Sequence, residues 1–310
     1  MCRKRFMILI SIIFIFNAAC SPLSNQNNLR KTSQVKSPVS IFIKLADEQG
    51  FVEKTQKNLC YFLEKNFLKG NLEIKATNEK PIKIQLITLL DYKPFKTMPL
   101  IVFPNKTNVV PFEITVKEDG IHDLVFLAII APQQHSYNTD FRYSSSSLVM
   151  ALRTNIVKNA GETSQTPYSL RGDVTIANSD LPPLSLSKSK PSENKKIWIK
   201  EEVNDNEQLA FWINLNNKSI ENSYAVLVFL DNEQVPVFNK HKDVVGYISA
   251  EKNTMISIPV NLPEPMKKGV HELFSIAVPN PFIPLIDNQG KTIQRDIFIR
   301  PSLRVGINVL

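Results

Sequence analysis

Apolar and polar positions alternate along most of this chain. Leu72, Ile74 and Ala76 are separated by charged residues, and Phe112, Ile114 and Val116 by Glu113 and Thr115. A period of two marks strands with one buried face. Met255 to Val260 (MISIPV) continues the pattern. Strand-like runs recur at roughly ten-residue intervals, separated by clusters of Asn, Asp, Gly and Pro. Phe51 to Phe67 is the best helical candidate. Its second half nevertheless aligns with Ile197 to Glu202 (IWIKEE), which reads as a strand.

The strand patterns come in two copies. Gly120-Ile121-His122-Asp123-Leu124 is followed by Ala128-Ile129, and Gly269-Val270-His271-Glu272-Leu273 by Ala277-Val278. Upstream, Ile84 to Asp91 (IQLITLLD) matches Ala225 to Asp231 (AVLVFLD), and Leu72 to Asn78 matches Phe211 to Asn217. The offset grows along the chain, from 139 to 140 to 149 residues, as loop insertions would make it. Three blocks in one order indicate a duplication.

Polar stretches divide the chain. Residues 20–38 read as a tether, rich in Ser, Asn and Gln. Residues 158–196, rich in Ser, Asn and Pro, read as a linker and the domain boundary. The expected organisation is a targeting segment over 1–19, the tether, a first domain over 39–157, the linker, and a second domain over 197–310. Val39, Ile41, Ile43 and Leu45 would supply an additional first strand.

Two copies of about 100 residues, each with roughly seven strands, predict an all-β chain of two tandem immunoglobulin-like β-sandwiches. The Gly-x-His-x-Leu block resembles the segment that opens a late strand in extracytoplasmic bacterial immunoglobulin-like modules. There His122 and His271 take the place of the corner tyrosine, and Leu124 and Leu273 that of the cysteine. The resemblance implies that both histidines are structural, each bonding backbone near the turn before its strand.

The first 20 residues speak of location. Arg3, Lys4 and Arg5 precede an apolar run from Ile8 to Phe16, then Ala18-Ala19-Cys20, then polar sequence. That is the order of a secretory signal peptide. The run is shorter than the roughly 20 residues a spanning helix needs. Ala-Ala-Cys resembles the lipobox of bacterial lipoproteins, although Asn17 stands where that motif usually carries an apolar residue. The resemblance implies cleavage before Cys20, lipid on Cys20, and an extracytoplasmic envelope location.

Charge and composition add exclusions. The net charge is +8, and three of those charges leave with Arg3, Lys4 and Arg5. Lysine and arginine are spread along the chain, so no nucleic-acid stripe is expected. Cys60 is the only cysteine in the part expected to fold, which rules out an intrachain disulfide framework. Its apolar setting, LCYFL, suits a buried small hydrophobe. With nine glycines and no Gly-x-Ser-x-Gly, His-Glu-x-x-His or phosphate-cradling loop, no catalytic, metal or cofactor site is expected. Ser144 to Ser147 reads as a loop, and Arg171-Gly172-Asp173 as a chance match in the linker.

Trp198 and Trp212 occur only in the second copy, where the first has Cys60 and Glu73. Trp212 is thus a candidate exposed anchor. The apolar loop holding Phe282, Ile283 and Leu285 is the other candidate partner surface, because its counterpart in the first copy is polar. These readings lead to a non-catalytic, lipid-anchored binding or scaffolding module with an envelope protein partner. A small-molecule or glycan-binding lipoprotein is the alternative.

Overall fold

The structure, a computed structural model, describes residues 39–45, 60–63, 65–76, 79–130, 149–159, 170–178, 180–191, 198–218, 220–284 and 298–310. Every regular element among them is a strand. The first copy contains β1 (Val39–Leu45), β2 (Cys60–Leu63), β3 (Phe67–Ala76), β4 (Ile82–Leu90), β5 (Lys93–Val102), β6 (Thr107–Thr115), β7 (Gly120–Ile130) and β8 (Val149–Lys158). One sheet has the order β1-β3-β6 and the other β2-β8-β7-β4-β5. The Cys60–Leu63 part of the apolar run LCYFL is β2, parallel to β8.

The second copy begins earlier than expected, with β9 (Asp173–Ile176) and β10 (Leu184–Ser187). It continues through β11 (Lys200–Val203), β12 (Ala210–Asn217), β13 (Asn222–Leu230), β14 (Glu233–Gln234), β15 (Val245–Ala250) and β16 (Thr254–Asn261). It ends with β17 (Gly269–Pro279), β18 (Arg300–Pro301) and β19 (Val305–Val309). Its smaller sheet has the order β10-β12-β16-β9, and its larger sheet runs β11-β19-β17-β13-β14. Both copies are immunoglobulin-like sandwiches, as the alternation and the repeat predict.

The stretch 158–196 was expected to be a linker. Two of its short runs are sheet strands instead. Leu184 and Leu186 enter the second core at 1% and 5% exposure, while Asp173–Ile176 pairs along Thr254–Ser257. Four-residue strands among Ser and Pro carry too little periodicity to stand out from a polar tether.

Each sandwich has its own core. Leu68, Leu72, Leu86, Leu124, Phe126 and Ile156 pack together in the first. Phe211, Ile213, Leu215, Val226, Val228 and Ile307 do so in the second, with Trp198. The opposite faces of the two larger sheets are also buried, against each other. Ile87, Leu89, Val125, Leu127 and Ile129 of the first copy form one cluster with Leu227, Phe229, Phe274, Ile276 and Val278 of the second. The result is four layers, with the larger sheets back to back in the middle. The two sandwiches therefore pack directly on each other instead of being held apart by the linker read at 158–196. β7, β13 and β17 are buried on both faces over most of their length, so their middles are apolar with little alternation.

Candidate functional site

The repeated histidines lie at one kind of corner. β4 and β5 are joined by Asp91-Tyr92, and β13 and β14 by Asp231-Asn232. All four turn residues have positive φ, 52° and 65° in the first copy and 51° and 70° in the second. These are the two-residue primed turns whose twist fits a hairpin. The turn aims each aspartate at the start of the neighbouring strand. Asp91 Oδ1 accepts from the Asp123 amide at 3.0 Å, and Asp231 Oδ1 from the Glu272 amide at 2.9 Å. The other oxygen of each binds histidine: Asp91 Oδ2 to His122 Nδ1 at 2.7 Å, Asp231 Oδ2 to His271 Nδ1 at 2.6 Å.

The second ring nitrogen is engaged as well. His122 Nε2 lies 3.1 Å from the Glu118 carbonyl, and His271 Nε2 2.7 Å from the Lys267 carbonyl. Both carbonyls lie just before the strand on which the histidine sits. The aspartates are additional: they ended the matched upstream blocks, but sequence reasoning did not join them to the histidines. The Asp91 hydrogen bond raises the His122 pKa against its partial burial. For His271 burial opposes the charge, yet the bonds to Asp231 and Lys267 raise the pKa overall. With an acceptor at each ring nitrogen, the protonated imidazole donates twice and clamps the turn to the strand. The glycine two residues earlier has φ 130° at Gly120 and 133° at Gly269, which L side chains rarely adopt.

A cleft of about 330 Å³ lies beside the first clamp, lined by Leu90, Asp91, Lys93, Phe95, Lys117 and His122 among others. Among the described residues no group of three His, Cys, Asp or Glu side chains converges as metal ligands would. Cys60 is buried, and burial pushes its thiol up to about 12. That environment suits packing rather than nucleophilic chemistry.

The acid after each histidine reaches into the junction between sandwiches. Asp123, wholly buried, accepts from Arg153 Nη2 at 2.7 Å, Asn155 Nδ2 at 2.6 Å, and the Tyr92 hydroxyl. It also accepts from the Phe282 amide of the second copy at 2.8 Å. Arg153 in turn donates to the carbonyls of Pro279 and Asn280. In the second copy Glu272 Oε2 accepts from Arg304 Nη1 at 2.9 Å, and Arg304 Nη2 donates to the Ile130 carbonyl at 2.6 Å. Burial lowers the Arg304 pKa despite Glu272. For Arg153 burial acts the same way, but Asp123 and Tyr92 outweigh it and raise the pKa.

The proposed contact residues separate. Phe282 faces inward as well as outward: its ring meets Tyr92 at 5.3 Å and Tyr247 at 6.4 Å between centroids. The loop expected to offer Phe282 to a partner is thus engaged with the first sandwich, because Asp123 fixes its amide. Ile283 is half-buried in the same turn. Leu285 and Ser144 to Ser147 lie outside the described residues. Trp198 is buried, 6.1 Å from the Phe211 ring, with its indole N–H on Glu201. Trp212 is half-buried on β12, paired with Ser187 and Pro259. Cys20 lies outside the described residues.

No family model matches the sequence, and no curated protein matches it. Solved structures do. The CARDB domain of the PF1109 protein from Pyrococcus furiosus aligns at 11% identity over 39% of this chain and 93% of its own, with a TM-score of 0.26. The red sea bream transglutaminase aligns at 11% identity over 89% of this chain and 32% of its own, with a TM-score of 0.25. CBD12 from CALX1.2 aligns at 8% identity over 81% and 96%, with a TM-score of 0.20.

Proposed function

We propose that the chain is a lipid-anchored, non-catalytic binding or scaffolding module on the extracytoplasmic side of a bacterial membrane. Lipid on Cys20 holds it to the envelope, and its partner is an envelope protein. The observation that carries the non-catalytic reading is the saturation of both repeated histidines. Each has one nitrogen on an aspartate and the other on a backbone carbonyl. The back-to-back packing supports a scaffold: two sandwiches fixed to each other present their remaining surfaces in one geometry.

The anchor reading rests on the order basic, apolar, Ala-Ala-Cys. Cells expressing the chain are fed a clickable fatty-acid analogue, and wild type is compared with Cys20→Ala. Incorporation into wild type and its loss in the variant are expected. Equal labelling overturns the anchor. Turnover of an envelope substrate by the purified protein, abolished by single substitutions, overturns the non-catalytic reading.

A further inference from the structure

We infer that the free edge of β6 is a docking site for an extended segment of a partner polypeptide, which adds antiparallel to Thr107–Val109 as a fourth strand. The duplication supplies the argument. β6 and β16 are the same strand in the two copies, both entered through an asparagine with positive φ, Asn105 at 56° and Asn253 at 58°. Both carry a proline at the same step, Pro111 and Pro259. In the second copy the edge before that proline is occupied. Asp173–Ile176 pairs antiparallel with Thr254–Ser257 and stops two residues short of Pro259.

In the first copy the same edge has no strand on it among the described residues; β6 ends its sheet at β3. The carbonyl of Asn253 accepts from the Ala177 amide, so alternate residues from Asn253 onward turn their backbone groups toward β9. The corresponding outward groups on β6 belong to Thr107 and Val109. Pro111 removes the next donor, which limits an added strand to about four residues, the length of β9. Val109 is 54% exposed, whereas its counterpart Ser257 is 1% exposed under its cover.

The occupant follows from the strand already seated on the equivalent edge. It is a short extended segment with β-branched residues, as in Asp-Val-Thr-Ile. Its first position differs: Asp173 lies opposite Ser257, but the matching position on β6 lies opposite Val109, so an apolar residue fits better there. Main-chain bonds would supply the affinity and the side chain beside Val109 the preference.

The inference deepens the binding-module reading and rests on it for the biological role alone. Its test reads the edge directly and is independent of labelling at Cys20. The purified full chain is titrated with two peptides, one with the sequence of residues 171–178 and one carrying Asp173→Val, while amide hydrogen exchange is followed. Exchange at Thr107 and Val109 should slow by about tenfold or more at saturation, with the valine peptide binding more tightly. Val109→Pro, which removes an outward donor, should weaken binding about tenfold, and Pro111→Val, which restores one, should strengthen it. No slowing at Thr107 and Val109, or a response confined to β16 through displacement of its own β9, overturns the proposal. So does indifference to both substitutions.

Discussion

Arg153 and Arg304 hold equivalent positions in the two copies, and each donates to the carbonyl that ends the central strand of the other copy. Arg153 reaches Pro279 at the end of β17, and Arg304 reaches Ile130 at the end of β7. Each arginine immediately precedes the residue paired with the leucine of Gly-x-His-x-Leu, Thr154 with Leu124 and Val305 with Leu273. The two contacts exchange under a pseudo-two-fold relation, so the junction has the form of an isologous dimer interface inside one chain. The apolar cluster obeys the same relation: Leu127 matches Ile276, and Leu89 matches Phe229.

The symmetry is not complete, and the difference predicts energies. Asp123 has Tyr92, Asn155 and the Phe282 amide besides Arg153. Glu272 has Arg304 on one oxygen, and its Oε1 has no hydrogen-bond partner among the described residues. Arg304→Met strands a buried carboxylate and should cost about 3–5 kcal/mol. Arg153→Met should cost less, because three donors remain on Asp123. Removing both members, Arg304→Met with Glu272→Met, should be milder than Arg304→Met alone. Urea unfolding midpoints give the order; a larger loss for Arg153→Met contradicts this account.

The histidine clamps set a pH dependence. Both His122 and His271 have raised pKa values in the folded chain. A group that binds its proton more tightly when folded stabilises the fold fully below its unfolded value, near 6.5. That contribution fades as pH rises through the folded value. Stability should therefore fall as pH rises above about 6.5, with His122→Gln and His271→Gln flattening the curve. A wild-type unfolding midpoint that rises over this window, or variants with the same slope, would count against the clamps.

The buried junction also predicts one unfolding event. Both tryptophans lie in the second copy, and Cys60 lies in the first. Fluorescence then reports one sandwich, and thiol labelling of a chain starting at Ser21 reports the other. The two curves should coincide in urea, because the interface is extensive and apolar. Phe274→Ala, which opens a cavity beside Phe229, should shift both curves by about 3–5 kcal/mol. Separate transitions, or a shift in fluorescence alone, would show two independent domains.

Alternation on β3 and β6 gave the strands, and the three repeated blocks gave the duplication. The back-to-back junction was also written in the residues, as the unbroken apolar runs Leu124 to Ile130 and Tyr224 to Leu230. A strand facing solvent on one side does not read that way. Those runs served to align the copies, and their lack of alternation was a second signal. The aspartate clamps were half visible, since Asp91 and Asp231 close matched blocks. Arg153 and Arg304 could not be found from spacing: their offset of 151 differs by two residues from the 149 of the neighbouring strand pair, and arginine in a strand normally signals solvent. β9 and β10 were hidden because edge strands of four residues gain their order from the sheet they join.

Tyr92 tests how the junction overrides local preference. It sits at φ 65°, where a bulky residue is disfavoured, and its counterpart in the second copy is Asn232. The turn alone would favour asparagine. Tyr92 nevertheless is fully buried, with its ring against Phe282 and Tyr247 and its hydroxyl on Asp123. Burial and Asp123 push the hydroxyl pKa well upward, so it stays a donor. Tyr92→Asn should relieve about 1 kcal/mol of backbone strain and lose about 3–5 kcal/mol of packing, a net destabilisation of about 2–4 kcal/mol. Tyr92→Phe should keep the packing and remove only the bond to Asp123, costing about 1–3 kcal/mol. Chemical denaturation of the two variants measures both terms. If Tyr92→Asn were neutral or stabilising, the turn would outweigh the junction, and the hairpin rather than Asp123 would fix this corner.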